Sequence, residues 1–149
     1  MAIYYLDTSA LVKLYVREPG TDRMIQLAHP AAHHIMAILS LSRVEFRSAV
    51  RARERLADIT AATATDLVEA MERHLQALYL VQPMTDQVAE RACALLDRYP
   101  LRAYDAMQLA GCMALQPKLT EMPHFVCADK TLLQAAEREG FAVLDPTEG

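Results

Sequence analysis

The sequence contains no apolar run of the length a membrane span needs, no low-complexity stretch and no repeat at a solenoid period. These absences argue against a helical membrane protein, a disordered linker and a stacked array. It is also short of cysteine. Cys93, Cys112 and Cys127 are odd in number, widely spaced and set among apolar neighbours, with no CxxC or zinc-type spacing. They read as buried reduced thiols, not as a disulfide framework or a zinc centre. Surplus positive charge is missing too. The formal net charge is −4, whereas phosphate contacts usually need a basic surface; the conflict eases if several acids are gathered into one site. The apolar start, Met1 to Val16, has no basic leader and is interrupted by Asp7 and Lys13, so it is not read as a signal peptide, and a cytoplasmic location is expected. What is present is the composition of a folded globule, 53% hydrophobic and 23% charged over 149 residues, expected to form one domain over 1–149.

Along the chain, short apolar runs alternate with helical patterns. Ala2 to Leu6 reads as a strand that stops at Asp7, followed by helices over Ser9 to Val16 and Asp22 to Ala28. His34 to Leu39 reads as a second strand. Two long helices follow, Ser42 to Ala57 and Ala61 to Ala77. Leu78 to Val81 is strand-like, Thr85 caps a helix to Arg98, and Tyr104 to Leu115 is helical. Phe125 to Ala128 is another apolar run ended by an acid, Asp129; a helix over Lys130 to Glu139 stops at Gly140, and Phe141 to Leu144 closes the pattern. Such alternation predicts a parallel sheet covered on both faces. Right-handed crossovers then bring all strand C-terminal ends to one edge, where ligands of open α/β sheets bind. Asp7 and Asp129 each follow a strand directly and should stand at that edge.

Four carboxylates draw attention, and each has a structural explanation. Asp7, Asp105 and Asp129 sit at helix starts, where a carboxylate can cap N–H groups and complement the dipole. Ser42-Arg43-Val44-Glu45 fits a capping box. Helical spacing points elsewhere for two of them. Glu45 shares a face with Ala49, Ala52 and Leu56, and Asp105 with Leu109 and Cys112, so both acids are expected to turn inward. No Lys or Arg occupies the matching inward positions, and an unpaired buried carboxylate costs several kcal/mol. If the four acids converge, a divalent cation resolves their repulsion, and an all-oxygen donor set favours Mg²⁺ or Mn²⁺ over zinc.

Tyr5-Leu6-Asp7-Thr8-Ser9-Ala10-Leu11, Ser42-Arg43-Val44-Glu45-Phe46, Leu101-Arg102-Ala103-Tyr104-Asp105-Ala106 and Phe125-Val126-Cys127-Ala128-Asp129 resemble the PIN-domain family, and within it the VapC-type toxins of prokaryotic toxin–antitoxin pairs. The resemblance covers nearly the whole chain. It implies a three-layer α/β/α sandwich with a parallel five-stranded sheet. It also implies a metal-dependent endoribonuclease whose catalytic and metal-holding quartet is Asp7, Glu45, Asp105 and Asp129. The Thr8 or Ser9 hydroxyl would support the first carboxylate or a metal-bound water. An RNA substrate and a small antitoxin that blocks the site follow from the same resemblance; a homodimer is also expected.

Substrate contacts must come from basic residues. Arg43, Arg47, Arg51 and Arg55 recur every fourth residue and form a stripe beside Glu45; this is either a phosphate track or a solvated face pairing locally with Glu54. Arg102 and Lys130 adjoin the third and fourth acids and are further candidates. His33 and His34 cannot chelate together from a strand, because neighbouring side chains point to opposite faces. The eight methionines are mostly core, with a surplus suited to a dimer interface or a partner's helix. An aspartyl phosphohydrolase would need a second Asp where Ser9 stands. A receiver-type module would need a Lys after a later strand, which Lys130 does not supply. A non-catalytic binding module with the acids as caps is the remaining alternative.

Overall fold

The computed structural model describes residues 1–148. Five strands, β1 (Ile3–Leu6), β2 (Ile35–Leu39), β3 (Leu80–Gln82), β4 (His124–Val126) and β5 (Ala142–Leu144), form one parallel sheet in the order β3-β2-β1-β4-β5. Seven helices cover it: α1 (Thr8–Val12), α2 (Thr21–Ala28), α3 (Ser42–Arg55), α4 (Ala61–Ala77), α5 (Asp86–Arg98), α6 (Ala103–Leu115) and α7 (Lys130–Arg138). The strand residues alternate between two cores. Ile3, Tyr5, Ala37, Leu39, Phe125 and Cys127 face one core, completed by α5, α6 and α7. Leu6, Met36, Ile38 and Val126 face the other, completed by α1 to α4 through Met24, Phe46, Val50 and Met71. Period-2 alternation with both faces buried is why these strands read as continuous apolar runs. The expected three-layer sandwich with a parallel five-stranded sheet is present.

Chain direction across the sheet reverses between β1 and β4. From β1 the chain builds outward through β2 to β3, then crosses back to β4 and continues to β5. This is the switch point at which open α/β sheets form a crevice, and Asp7 and Asp129 follow the two strands that flank it.

Several local expectations are corrected. Leu78 is 64% exposed and its N–H, like that of Tyr79, returns to the His74 carbonyl, so α4 is still closing there and β3 begins only at Leu80. On α3 the inward residues are Ser42, Phe46 and Val50, not Glu45, Ala49, Ala52 and Leu56; Leu56 is 74% exposed. Burying Phe46 and Val50 removes far more apolar area from water than burying two alanines, and one residue's rotation, about 100°, separates the two faces. Ser42 is not a cap: Leu41 occupies the N-cap and offers no side-chain bond. Cys93 is exposed, whereas burial pushes the Cys112 and Cys127 thiols up and leaves them inert. His33 is exposed at φ 56°, and His34 accepts a bond from the Ala2 N–H at 3.0 Å while packing on Tyr4. Thr85 caps α5 as expected, and Gly140, at φ +97° just past the Glu139 C-cap, turns the chain out of α7.

Candidate active site

Four separate segments supply the acids. Asp7 leaves β1 and heads α1, Glu45 lies in the first turn of α3, Asp105 in the first turn of α6, and Asp129 heads α7. All four line one cavity of about 380 Å³ at the carboxyl edge of the sheet, together with Thr8, Ser9, Arg102, Gln108 and Ala128. The capping reading holds for two of them. Asp7 Oδ1 accepts from the Ala10 N–H at 2.9 Å, and Asp129 Oδ1 from the Leu132 N–H at 3.0 Å. Glu45 and Asp105 cap nothing.

Each carboxylate is held by a named partner. Ser9 Oγ donates to Asp7 Oδ1 at 2.7 Å, and Thr8 Oγ1 donates to Glu45 Oε1 at 2.8 Å, so the two hydroxyls serve different acids. Arg102 Nε reaches Asp105 Oδ2 at 3.0 Å, and its guanidinium lies 3.6 Å from Asp129 Oδ2. Sequence reasoning found no arginine in the inward positions of the first turn; this one stands at the N-cap, 79% exposed, and reaches in from the rim.

Gln108 is the functional residue that sequence reasoning missed. Only 2% exposed, it donates from Nε2 to Glu45 Oε1 at 2.8 Å and to Ser42 Oγ at 3.1 Å, and it accepts at Oε1 from the Tyr5 hydroxyl at 3.3 Å. Burial pushes the Tyr5 phenol well up, so it stays protonated and donates. That orients the amide with its donors toward Glu45. Gly111 makes the arrangement possible, since a Cβ there would stand 2.5 Å from the Tyr5 oxygen and 2.8 Å from a Leu39 methyl. The available signal was a lone amide three residues after Asp105 in an otherwise apolar helix.

Burial raises the Asp7 carboxyl to about 7; the Ala10 N–H and Ser9 pull it down, and the negative charges of Asp105 and Glu45 push it up. Among the described residues no three His, Cys, Asp or Glu side chains are already arranged to hold one metal ion. The acids line the cavity without closing on a point: Arg102 pairs with Asp105, Gln108 bonds Glu45, and helix N–H groups hold Asp7 and Asp129. The donor set fits a hard divalent cation nonetheless: four carboxylates face one guanidinium, with no His or Cys lining the cavity.

Of the basic candidates, only Arg102 lines this cavity. Arg43 and Arg47 both pair with Glu72 of α4, at 2.8 and 3.4 Å, and Lys130 lies 3.9 Å from Glu148. Arg51 pairs with Glu54 at 2.7 Å, the local partner the sequence suggested.

The fold is shared with known proteins. The PIN domain family model matches residues 4–143. Ribonuclease VapC46 of Mycobacterium tuberculosis is 31% identical over 150 residues, covering 99% of this chain and all of that protein. Among solved structures, FitAcB from Neisseria gonorrhoeae superposes with a TM-score of 0.67 at 16% identity, covering 99% of each chain. A toxin–antitoxin complex from Klebsiella pneumoniae superposes with a TM-score of 0.60 at 17% identity, covering 96% of this chain and 97% of that one. The chain belongs to the PIN-domain family. Its relative in sequence is a ribonuclease by name, and its structural neighbours share the fold.

Proposed function

We propose that this protein is a divalent-metal-dependent endoribonuclease, the toxin half of a toxin–antitoxin pair acting in the cytoplasm, in which Asp7, Glu45, Asp105 and Asp129 hold Mg²⁺ or Mn²⁺. The observation that carries the reading is the meeting of four carboxylates from four segments on one cavity at the switch point, opposed by a single arginine. A binding module that kept its acids as caps would account for Asp7 and Asp129. It leaves Glu45 and Asp105 unexplained, since neither caps a helix.

When bound, the cation supplies a water of lowered pKa and offsets charge on the phosphate oxygens. The protein's part is placement. Ser9 and the Ala10 N–H pin Asp7 through Oδ1, while Gln108 and Thr8 pin Glu45 through Oε1. In each case the other carboxylate oxygen is left for the cavity. Glu45 or Asp129, whichever the cation leaves partly free, would accept the water's proton, and Arg102, at the rim of the cavity beside Asp105 and Asp129, would supply positive charge to the phosphate. Hydrolysis of this kind leaves a 5′-phosphate and a 3′-hydroxyl. A small antitoxin that covers the cavity belongs to the same reading and is supported by the toxin–antitoxin complex among the structural neighbours; a homodimeric assembly is proposed with it.

The test is incubation of the partner-free protein with mixed single-stranded RNA in Mg²⁺, Mn²⁺ or EDTA, beside Asp7→Asn and Glu45→Gln. Metal-dependent cleavage that both folded variants lose is the expected result. Full activity in Asp7→Asn with unchanged metal dependence would overturn the assignment.

A further inference from the structure

The four carboxylates of the cavity are not held alike. Asp7 and Glu45 are bonded by neutral donors, Ser9 and the Ala10 N–H for the first, Thr8 and Gln108 for the second. Asp105 and Asp129 share a cation instead. Arg102 Nε lies 3.0 Å from Asp105 Oδ2, and Nη2 of the same guanidinium lies 3.6 Å from Asp129 Oδ2. One side chain thus spans two acids carried by different helices, α6 and α7. Asp129 Oδ1 already accepts from the Leu132 N–H, so Arg102 faces the oxygen that is left for a metal. The helix offers no reason for this arginine. Arg102 stands at the N-cap of α6, makes no side-chain cap, and places positive charge at the end of the dipole where it is least favoured. Asp105 and Asp129 are what it meets there. Its side chain is also 79% exposed, and ion pairs of such groups are weak, so the guanidinium can be displaced.

We propose that Arg102 is an internal counter-cation to Asp105 and Asp129 that Mg²⁺ or Mn²⁺ must displace, so that it sets the concentration at which the cavity takes up its ion. The inference rests on reading the cavity as a divalent-cation site. In the metal-free chain the guanidinium offsets part of the repulsion among four carboxylates, which would otherwise oppose folding. A divalent ion needs the same two oxygens and repels the guanidinium from them. Arg102 therefore stabilises the metal-free chain and not the loaded one. A group that favours only the metal-free state lowers the affinity for the ion by the same factor. Asp7 and Glu45 have no such competitor, because their donors carry no charge.

The experiment is Mn²⁺ binding to the full chain at pH 8 without RNA, read from the electron paramagnetic resonance signal of the free ion. Thermal melts of the same preparations are taken in EDTA and in saturating Mn²⁺. Arg102→Gln should bind Mn²⁺ about fivefold more tightly, the scale of one exposed ion pair. Arg102→Lys keeps the charge but not the planar fork and should fall between that variant and the wild type. Lys130→Gln controls for charge alone. Lys130 follows Asp129 in sequence but lies 3.9 Å from Glu148 and does not line the cavity, so its loss should leave the affinity nearly unchanged. In the melts, Arg102→Gln should lower Tm in EDTA and leave it unchanged in Mn²⁺; cooperative transitions also establish that the variants are folded. Three results would each overturn the inference: unchanged or weaker binding by folded Arg102→Gln, an equal gain in Lys130→Gln, or a Tm lowered equally with and without Mn²⁺. Arg102 would then keep its pairs beside the bound ion or act only through net charge. Failure of the divalent-cation reading is a different result, in which neither the wild type nor Arg102→Gln binds Mn²⁺, and the inference falls with it.

Discussion

Gln108 carries no charge, yet its amide decides where Glu45 stands. With Tyr5 donating on one side, the Nε2 group can only face the carboxylate and Ser42. Gln108→Leu should leave the Tyr5 hydroxyl buried without a partner, costing about 1–3 kcal/mol of stability, and should weaken Mn²⁺ binding about tenfold or more, as removing the outer supports of metal ligands does. Thermal melts and Mn²⁺ titration of the same preparation separate the two effects. Asp7 makes a second prediction. Its carboxyl titrates near 3.8 when unfolded and is raised to about 7 when folded, so the folded state binds the proton more tightly. The stability this group contributes is therefore complete below pH 4 and is lost as pH rises through 7, by at most roughly 4 kcal/mol in the metal-free protein. Asp7→Asn should flatten that decline and stabilise the metal-free chain at pH 8 while abolishing cleavage. Urea melts at pH 5 and 8 measure it, and an equally steep decline in the variant would assign the pH dependence to another group.

The helices place these side chains through their packing. α6 lies close on β1 and β2 because Gly111 has no Cβ, and Gly111→Ala would press a methyl against Tyr5 and Leu39. The expected cost is about 1–3 kcal/mol, as for other overpacked cores. Combining it with Tyr5→Phe should recover part of the loss, because the nearest clashing atom is then gone; strictly additive losses would place the strain elsewhere. α3 shows how one residue's rotation of a helix redistributes function. Phe46 and Val50 occupy the core, so Glu45 sits on the flank, half-buried, where it can border both the acid cavity and an open groove.

For the molecule as a single cooperative unit, cation binding and folding stability are linked. Mg²⁺ or Mn²⁺ that binds only the folded chain adds about 2.7 kcal/mol at a hundredfold excess over its Kd. Differential scanning calorimetry at pH 8 should show Tm rising by several degrees with Mn²⁺ and falling back with EDTA. At pH 5 the rise should shrink, because Asp7 is then protonated and must lose its proton to bind. A Tm indifferent to Mn²⁺ at pH 8 would leave the carboxylates without a cation to hold.

The order of elements, the parallel sheet and the placement of Asp7 and Asp129 after strands were legible in the sequence because they follow from local patterns: apolar runs, caps at Asp7, Thr85 and Asp129, and the stop at Gly140. All four acids could be named for the same reason, two at helix N-caps and two in a helix's first turn. The strand order, with β1 between β2 and β4, was not legible, since nothing local states which strands pair across long stretches of chain. Nor was the true inward face of α3, because Glu45 and Phe46 both lie on credible apolar stripes and only competition for the core selects between them. Gln108 and Arg102 show the same division. The Arg102–Asp105 pair is local, but the contacts of Gln108 with Glu45 and of Arg102 with Asp129 depend on separate helices meeting, so the full set exists only once the sheet has brought those helices to one edge.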